Sequence, residues 1–335
     1  MTRQMENSHR KVQVITLGGT IAMQRVEGGL SPALAGDALL GFLRDLNLPV
    51  QIDWIEFINV ASANITFADL ARLAEHIDSL NTEHYSGVVV TQGTDTIEET
   101  AFALELLSHT PVNIVVTGAM RGASHPSADG PANITSALRF LVDSQDFGEV
   151  VVVLDDTVHS ARYARKAHTT QLSSFTSGEF GLRGRIHEDR FRPYNRPPTP
   201  LAKVPIPSLC TAAKVLLLPI CLAQEPSILG HIAECGLGGL VLEALGAGHV
   251  PQALVPILEA IAVDIPVVLC SRVDQGSVCE QTYGYPGGEM DLLARGLLSG
   301  GWLPGNKARV LLELLLMTSP IGVKRRFSDY VRLYF

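Results

Sequence analysis

The stretch Gly87-Val-Val-Val-Thr91 is a short β-branched run that leads into Gln92-Gly-Thr-Asp-Thr96, and a helical pattern follows over Ile97 to Leu107. An uninterrupted apolar run of this length predicts a strand that is buried on both faces. The acidic Glu98 and Glu99 lie in the first turn of the predicted helix, where the helix dipole favours negative charge. The stretch therefore predicts a strand–turn–helix unit of a parallel sheet.

The same alternation continues on both sides of this unit. Further strands are predicted at Val12–Leu17, Ile52–Val60, Asn113–Thr117, Val150–Leu154, Lys214–Pro219, Gly239–Glu243 and Pro266–Cys270. Further helices are predicted over Phe67–Ile77, from near Pro131, and over Ser227–Cys235, Pro251–Val263 and Lys307–Met317. Strands that alternate with helices indicate βαβ units, so the fold class is α/β.

A proline-rich stretch divides this alternation into two parts. From Arg185 the apolar pattern is lost, and Arg190 to Pro207 contains six prolines. We expect a larger N-terminal parallel-sheet domain with the catalytic function over residues 1–189 and a linker over residues 190–212. A smaller C-terminal α/β domain is expected over residues 213–335.

Composition excludes several classes of protein. The 335 residues are 46% hydrophobic and 18% charged, with a net charge of −8, so the basic excess of a nucleic-acid-binding protein is missing. No apolar run approaches the ~18 residues of a transmembrane helix, and the polar N-terminus does not resemble a secretion signal. The five cysteines and ten histidines lack metal-ligand spacing. We expect a cytoplasmic protein with no metal, no membrane partner and no nucleic-acid partner.

The residues that follow the predicted strands are the candidates for chemistry, because ligands bind beyond the carboxyl ends of strands in open parallel sheets. Thr20 follows the glycine pair at the end of the first strand, and Thr94 and Asp95 follow the strand Gly87–Thr91. Taken singly, each of these residues is more typical of a helix cap or a polar surface position than of a catalytic site. Lys166 becomes a candidate base only if it is desolvated near Thr94.

Five motifs in sequence order carry a family resemblance. Leu17-Gly-Gly-Thr-Ile-Ala22 and Thr91-Gln-Gly-Thr-Asp-Thr-Ile-Glu-Glu-Thr100 resemble the two signature motifs of the bacterial-type L-asparaginase family. The other three matches are Thr117–Met120 with Ser127–Asn133, Lys166 with Thr169-Thr170, and Lys307–Val310. The resemblance implies a threonine amidohydrolase that converts L-asparagine and water to aspartate and ammonia. It also implies a homotetramer built as a dimer of dimers, and an enzyme that needs no cofactor and no metal.

The resemblance implies a catalytic role for four residues. Thr20 matches the nucleophilic threonine, and Thr94 matches a second catalytic threonine. Lys166 matches the lysine that is paired with Thr94. Asp95 matches the carboxylate that completes this triad and binds the substrate α-ammonium group. Together they follow the logic of a Ser–His–Asp triad with lysine as the base.

The resemblance also implies a set of substrate-binding groups. Ser62 is similar to the serine that binds the α-carboxylate, and Gly19 and the amide of Thr94 are similar to the oxyanion-stabilising donors. Glu289 is similar in position to a glutamate that each protomer contributes to its neighbour's site. A mobile loop from about Met23 to Leu34 is expected to close over the substrate.

This sequence departs from the family pattern at three positions. Gln92 stands where the family commonly has histidine, Leu30 where the mobile loop usually has tyrosine, and Ala63 where glutamine is frequent. Our hypothesis is that Tyr283 or Tyr285 of a neighbouring protomer replaces the missing loop tyrosine. The change at Ala63 leaves the preference between asparagine and glutamine open.

Alternative functions differ in class. A non-catalytic amino-acid-binding relative is one, and a glutaminase-type amidohydrolase is another. A nucleotide-binding protein is a third, but neither Gly236-Leu-Gly-Gly239 nor Gly246-Ala-Gly-His249 completes the GxGxxG pattern. A component of tRNA-dependent amidation is a fourth. It is expected to have an additional N-terminal domain, whereas 11 residues precede the first predicted strand.

Overall fold

The computed structural model of the chain describes residues 11–19, 23–26, 29–32, 48–144, 148–196, 198–206 and 213–335. The chain forms two compact units, Met1–Lys203 and Val204–Phe335. Both are α/β, with a larger sheet in the first unit and a smaller parallel sheet in the second, which confirms the predicted fold class. No helix in the described part of the chain is long and apolar enough to cross a membrane.

The first unit is built on an eight-stranded sheet. Its strands are Lys11–Thr16 (β1), Gln51–Glu56 (β4), Tyr85–Thr91 (β5), Asn113–Thr117 (β6), Val150–Leu154 (β7), Thr157–Ser160 (β8), Gly184–His187 (β11) and Arg190–Pro193 (β12). Their order is β12-β11-β8-β7-β6-β5-β1-β4; β4, β1, β5, β6 and β7 run parallel to one another, and β7 pairs with β8 antiparallel. The predicted bounds of β6 and β7 are confirmed to the residue.

The strand order places a topological switch point between β1 and β5. From β1 the chain continues to β4 on one side, and from β5 it continues to β6 on the other. Connections that diverge in this way leave a crevice at the carboxyl ends of the two strands, where ligands bind in open α/β sheets. Leu17–Gly19 and Gln92–Thr96 are the segments that leave these two strand ends.

In the described part of the first unit, three α-helices cover the sheet, at Phe67–Asp78 (α1), Ile97–Leu107 (α2) and Gly130–Asp143 (α3). The Thr66 side chain begins α1 with a capping box, because it accepts from the backbone N–H of Asp69, while the Asp69 carboxylate accepts from that of Thr66. Helix α3 packs on a row of valines that crosses the parallel strands, with Phe140 and Leu141 among its buried side chains. The intervening strand residues are also buried, so the sheet is covered on both faces.

The segment from Arg185 onward, where the apolar pattern is lost, contains strand residues that the sequence did not predict. Strands β11 and β12 form a hairpin that extends the sheet through antiparallel pairing with β8. The hairpin turns at Glu188 and Asp189, which both have positive φ angles. The sequence did not predict this hairpin because its side chains are largely polar and prolines flank it. A hairpin at the edge of a sheet needs little apolar periodicity. The predicted linker over residues 190–212 thus begins inside a strand, and the first unit extends to Lys203.

Two small hairpins lie outside the main sheet. Met23–Val26 (β2) pairs with Gly29–Pro32 (β3), and Leu30 lies opposite Arg25 in this register. Arg165–Lys166 (β9) pairs with Phe175–Thr176 (β10), and the segment between them is residues 167–174. The first hairpin falls within the stretch expected to be a mobile loop.

The second unit has a four-stranded parallel sheet in the order β13-β14-β15-β16. Its strands are Val215–Pro219 (β13), Gly239–Ala244 (β14), Val267–Ser271 (β15) and Leu298–Ser299 (β16). Its helices are Pro226–Ala233 (α4), Val255–Asp264 (α5), Glu289–Ala294 (α6), Gly305–Thr318 (α7) and Val323–Tyr334 (α8). Helices α4 and α5 supply Leu229, Leu258 and Ile261 to its core. The predicted strands and helices of this half are present, with bounds that differ by a few residues.

Candidate active site

Gly19 and Gly93 bring the exits of β1 and β5 into contact. Gly19 has a φ of 90°, and a Cβ atom at this position would lie 2.0 Å from the backbone nitrogen of Gly93. A Cβ atom on Gly93 would lie 2.7 Å from Ser62 Oγ. No side chain fits between these segments, so glycine is required for their approach. The two predicted motifs and Ser62 therefore meet at the switch point of the sheet.

Thr94, Asp95 and Lys166 form a hydrogen-bonded group. Lys166 Nζ donates to Thr94 Oγ1 at 2.9 Å and to Asp95 Oδ1 at 2.6 Å. The Thr94 residue is 7% exposed and the Lys166 side chain 15%, whereas the Asp95 side chain is 73% exposed. An amino group that bridges a buried hydroxyl and an open carboxylate can take a proton from the hydroxyl when it is in its amine form, while the carboxylate stays accessible to a ligand.

A cavity of about 310 Å³ opens beside this group. Asp95 and Lys166 line it together with Ala167, His168 and Thr169. His168 Nδ1 accepts hydrogen bonds from the backbone N–H groups of Thr170 and Gln171, both at 3.0 Å. These bonds leave Nε2 to carry the proton of the neutral ring. His168 is thus a cavity residue that the sequence analysis did not single out.

A relay of side-chain hydrogen bonds connects the β5 exit to Ser62. The buried Gln92 donates through Nε2 to Gly93 O at 3.2 Å and to Thr96 Oγ1 at 3.1 Å. Thr96 Oγ1 donates to the Ser62 carbonyl oxygen at 3.0 Å. The Ser62 side chain is itself buried at the start of the short helix Ser62–Asn64. Gln92 therefore acts on the turn that holds Thr94 and on the residue predicted to bind a carboxylate.

Asp129 and Asn133 connect the exits of β6 and β7. The Asp129 carboxylate accepts from the backbone N–H groups of Met120 and Arg121, at 2.9 and 2.8 Å. Asn133 Nδ2 donates to Gly118 O at 3.0 Å, and Asn133 Oδ1 accepts from the Asp155 N–H at 3.0 Å. This motif of the sequence thus has a structural role, since it satisfies backbone groups of two neighbouring loops.

Glu289 lies in the second unit, at the start of α6. Its side chain is fully buried, and Oε1 accepts from the backbone N–H groups of Thr282 and Tyr283, at 2.9 and 2.8 Å. Burial alone would raise the pKa of Glu289, but these N–H groups outweigh it and the pKa is lowered. Oε2 lies 3.4 Å from Nε2 of His249, whose ring contacts Tyr283 and Tyr285. Glu289 is thus a buried carboxylate beside an aromatic cluster.

Among the predicted site residues, the structure brings together Gly19, Ser62, Thr94, Asp95 and Lys166 within the first unit. Thr20 lies outside the described residues, directly after Gly19. Glu289 belongs to the second unit. Among the described residues, no group of three or more His, Cys, Asp or Glu side chains is placed to hold a metal ion.

The structure also contains a buried histidine–serine pair that no sequence pattern indicated. His159 on β8 and Ser177, directly after β10, are both buried, and His159 Nδ1 lies 2.8 Å from Ser177 Oγ. An isolated histidine in a strand pattern has no sequence signal that separates it from other polar residues. Its partner is 18 residues away, so only the fold places the two side chains together.

Comparisons with known proteins agree over almost the full chain. Residues 11–199 match the model of the family "Asparaginase, N-terminal", and residues 214–321 match "Glutaminase/Asparaginase C-terminal domain". An L-asparaginase of Bacillus licheniformis is 32% identical over 95% of this chain and 99% of its own length. A probable L-asparaginase of Deinococcus radiodurans is 34% identical over 98% of this chain and 100% of its own length.

Relatives with other names, and solved structures, add to this set. The crystal structure of a probable cytoplasmic L-asparaginase from Campylobacter jejuni has a TM-score of 0.85 and 30% identity, and the match covers 97% of this chain and 100% of that one. One component of a glutamyl-tRNA(Gln) amidotransferase of Methanosarcina barkeri is 28% identical over 96% of this chain and 77% of its own length. Both family models and these relatives show that the chain belongs to the asparaginase family and is an amidohydrolase.

Proposed function

We propose that this chain is an L-asparaginase, which hydrolyses the side-chain amide of L-asparagine to L-aspartate and ammonia through a threonine nucleophile. The observation that carries the proposal is the contact of Lys166 Nζ with both Thr94 Oγ1 and Asp95 Oδ1 beside an open cavity. A threonine hydroxyl needs an adjacent base at neutral pH, and a lysine in its amine form is one. Asp95 orients that lysine through the second hydrogen bond.

The proposed reaction has two steps. In the first, Thr20 Oγ attacks the amide carbon, its proton passes to the amide nitrogen, and ammonia leaves as the Thr20 ester forms. In the second, water attacks the ester carbon while Thr94 Oγ1 relays one water proton to Lys166. The ester bond breaks, Thr20 Oγ regains a proton, and aspartate leaves. The backbone N–H groups of Gly19 and Thr94 are the proposed donors to the oxyanion in both steps.

The zwitterionic substrate requires one group for each of its charges. Asp95 is proposed to bind the α-ammonium group, and its open carboxylate suits that role. Ser62 is proposed to bind the α-carboxylate, and the relay from Gln92 supports its position. We further propose that Glu289 binds the α-ammonium group in the site of a neighbouring copy; because its side chain is fully buried in the single chain, this role requires assembly to expose it. Its lowered pKa keeps it charged over the neutral range.

The proposed assembly is a homotetramer made of two dimers, in which Glu289 completes each partner's site. Tyr283 and Tyr285 are the proposed source of the phenol that the mobile loop lacks, and both side chains are about half exposed. Replacing both by phenylalanine is expected to lower kcat about a hundredfold at unchanged oligomeric mass. Full activity of the double variant would remove the tyrosines from the mechanism. Light scattering measures the mass of the assembly in solution and so tests whether the chain forms a tetramer.

Ammonia release from L-asparagine, D-asparagine and L-glutamine tests the function. We expect the highest kcat/KM with L-asparagine, and loss of turnover in Thr20→Ala and Thr94→Val, with circular dichroism unchanged. Turnover at wild-type rate in either variant would refute the role of that threonine. A higher kcat/KM with L-glutamine would make the chain a glutaminase-type amidohydrolase. Absence of ammonia with all three amides, together with binding of asparagine, would identify an amino-acid-binding relative.

The cytoplasm is the proposed location. The name of the structural relative from Campylobacter jejuni, a probable cytoplasmic L-asparaginase, supports it. Fractionation of the native host cells, with the chain detected by antibody, tests this. Recovery in a periplasmic or secreted fraction would contradict it.

A further inference from the structure

Lys166 is carried by an element that is not part of the main sheet. Strands β9 and β10 have two residues each and form a separate two-stranded sheet. A hairpin this short is marginally stable in water. Yet Lys166 Nζ must stay within hydrogen-bond distance of Thr94 Oγ1, because a misplacement of about 1 Å at a reacting group costs on the order of a hundredfold in rate. The position of the hairpin therefore depends on contacts made elsewhere in the first unit.

A chain of side-chain hydrogen bonds connects the hairpin to the main sheet. Thr157 Oγ1 donates to Leu154 O at 2.6 Å and lies 2.9 Å from His159 Nε2. On the other side of the ring, His159 Nδ1 lies 2.8 Å from Ser177 Oγ, and Ser177 directly follows β10. These hydrogen bonds thus connect the end of β7, through two side chains of β8, to the end of β10, the strand that pairs with Lys166.

These hydrogen bonds determine the tautomer of His159. The hydroxyl proton of Thr157 is committed to Leu154 O, because a carbonyl oxygen can only accept. Thr157 Oγ1 therefore accepts from His159 Nε2–H. In the neutral ring Nδ1 then has the lone pair and accepts the Ser177 hydroxyl proton. Each group therefore donates to the next one, from Ser177 to His159, from His159 to Thr157, and from Thr157 to the Leu154 carbonyl oxygen.

We propose that His159 is a positioning residue that holds the Lys166 hairpin in register with Thr94 through Ser177. The inference rests on the proposed function, because the geometry it protects is that of the Thr94–Lys166–Asp95 group. His159 does not touch the substrate: it is 1% exposed, and Ser177 is 4% exposed. The same burial excludes a second Ser–His hydrolytic site at this pair, since no substrate reaches the hydroxyl.

The two nitrogens of the ring allow a matched pair of variants. In His159→Asn the amide oxygen can replace Nδ1 as the acceptor for Ser177. In His159→Gln the longer amide can replace Nε2 as the donor to Thr157, while the bond to Ser177 is lost. We expect His159→Asn to retain kcat within about threefold, and His159→Gln to lose about ten- to a hundredfold in kcat with little change in KM. Ser177→Ala should match His159→Gln, and Ser177→Thr should retain most of the activity.

Two readouts keep this test separate from that of the proposed function. Amide hydrogen exchange of the tetramer should increase about tenfold over residues 165–176 in His159→Gln and Ser177→Ala, and remain unchanged over β5 and β6. Unchanged exchange in the hairpin, or faster exchange with full kcat, would overturn the proposal. So would equal kcat in the Asn and Gln variants. If the wild-type chain hydrolyses no amide while the hairpin loosens, the proposed function fails and the positioning contact stands.

Discussion

The two halves of the Thr94–Lys166 pair are held in different ways. Thr94 follows a central strand of an eight-stranded sheet, and its turn is packed against the β1 exit without room for a Cβ atom. Lys166 sits on a two-residue strand outside that sheet and reaches Thr94 through its side chain. The comparison teaches that forming the sheet places the hydroxyl, whereas placing the cation requires a second and weaker set of contacts.

The largest effect is expected on the sheet side, from Gly19→Ala. The new Cβ atom would lie 2.0 Å from the Gly93 nitrogen, in a backbone with a φ of 90°. The combined steric and conformational penalty is about 3–5 kcal/mol in the free energy of unfolding, with loss of turnover. Urea denaturation and ammonia release measure the two effects. Gly148→Ala is the matched control, since it has a φ of 77° and nothing within 4 Å of the new atom.

Only the conformational penalty applies to that control, so it should lose about 1–2 kcal/mol and retain kcat. Equal losses in the two variants would mean that close packing of the β1 and β5 exits does not hold the sheet side of the site.

Lys166→Met tests the other half of the pair, the lysine that the β9–β10 hairpin carries. Removal of a general base typically costs 10²- to 10⁴-fold, so we expect kcat to fall about a thousandfold while the thermal midpoint stays within about 2 °C of wild type. Lys11→Met is the control, because Lys11 Nζ also pairs with an aspartate. It lies 3.1 Å from Asp53 Oδ2, and both residues belong to the main sheet. This exposed pair contributes at most about 1 kcal/mol and should leave kcat unchanged. Residual kcat above a tenth in Lys166→Met would remove the lysine from the mechanism.

A pH-dependent stability difference is expected at the other end of the sheet. Glu149 precedes β7 and accepts from Arg183 Nε at 2.7 Å, yet burial raises the pKa of Glu149 to about 7 from 4.5. The folded state thus keeps a proton that the unfolded chain releases above about pH 4.5. This carboxyl group contributes its full stability below that pH and loses about 3 kcal/mol as the pH rises through 7.

The comparison of wild type with Glu149→Gln isolates this carboxyl group. Urea titrations at pH 4.5, 6 and 7.5 should show the wild type losing stability relative to the variant as pH rises, while the kcat ratio stays near one. A pH-independent difference would refute the raised pKa. A changing kcat ratio would show that the two ends of the sheet are coupled.

The smallest effect is expected at Gln92, the residue that stands in place of a histidine. Gln92→Leu removes the donor to Gly93 O and Thr96 Oγ1, and should cost about 1–2 kcal/mol of stability. Because Thr96 donates to the Ser62 carbonyl, we expect a three- to tenfold higher KM with a nearly unchanged kcat. Gln92→His restores a ring donor and should be close to wild type. A fall in kcat at constant KM would place the effect on Thr94 instead.

Local patterns were sufficient for the parallel core. Apolar runs such as Asn113–Thr117 and Val150–Leu154 are buried on both faces, so their composition alone predicted their bounds. The antiparallel edge was missed because a hairpin such as β11–β12 is polar, and pairing between strands leaves little local signal. The family resemblance of their motifs predicted Thr94, Asp95 and Lys166 as a group, whereas each residue taken singly carried no such signal.

The contacts that support this group were not predictable in the same way. His159, Ser177 and His168 are ordinary polar residues in sequence, and their roles arise from partners that only the fold supplies. Glu149 and Glu105 illustrate the same limit. Buried carboxylates with raised pKa values are unexpected from a chain whose charged residues are mostly solvated.

The bond between Lys166 and Thr94 has a consequence for the order in which the protein folds. It joins residues 72 apart in sequence, and the element that carries the lysine has little stability of its own. Contacts at such separation pay a large loop-closure entropy and tend to form after the local βαβ units. During refolding from urea, ellipticity should therefore return before ammonia release does. A lag that does not change with protein concentration would time the docking of one small hairpin, because subunit assembly depends on concentration.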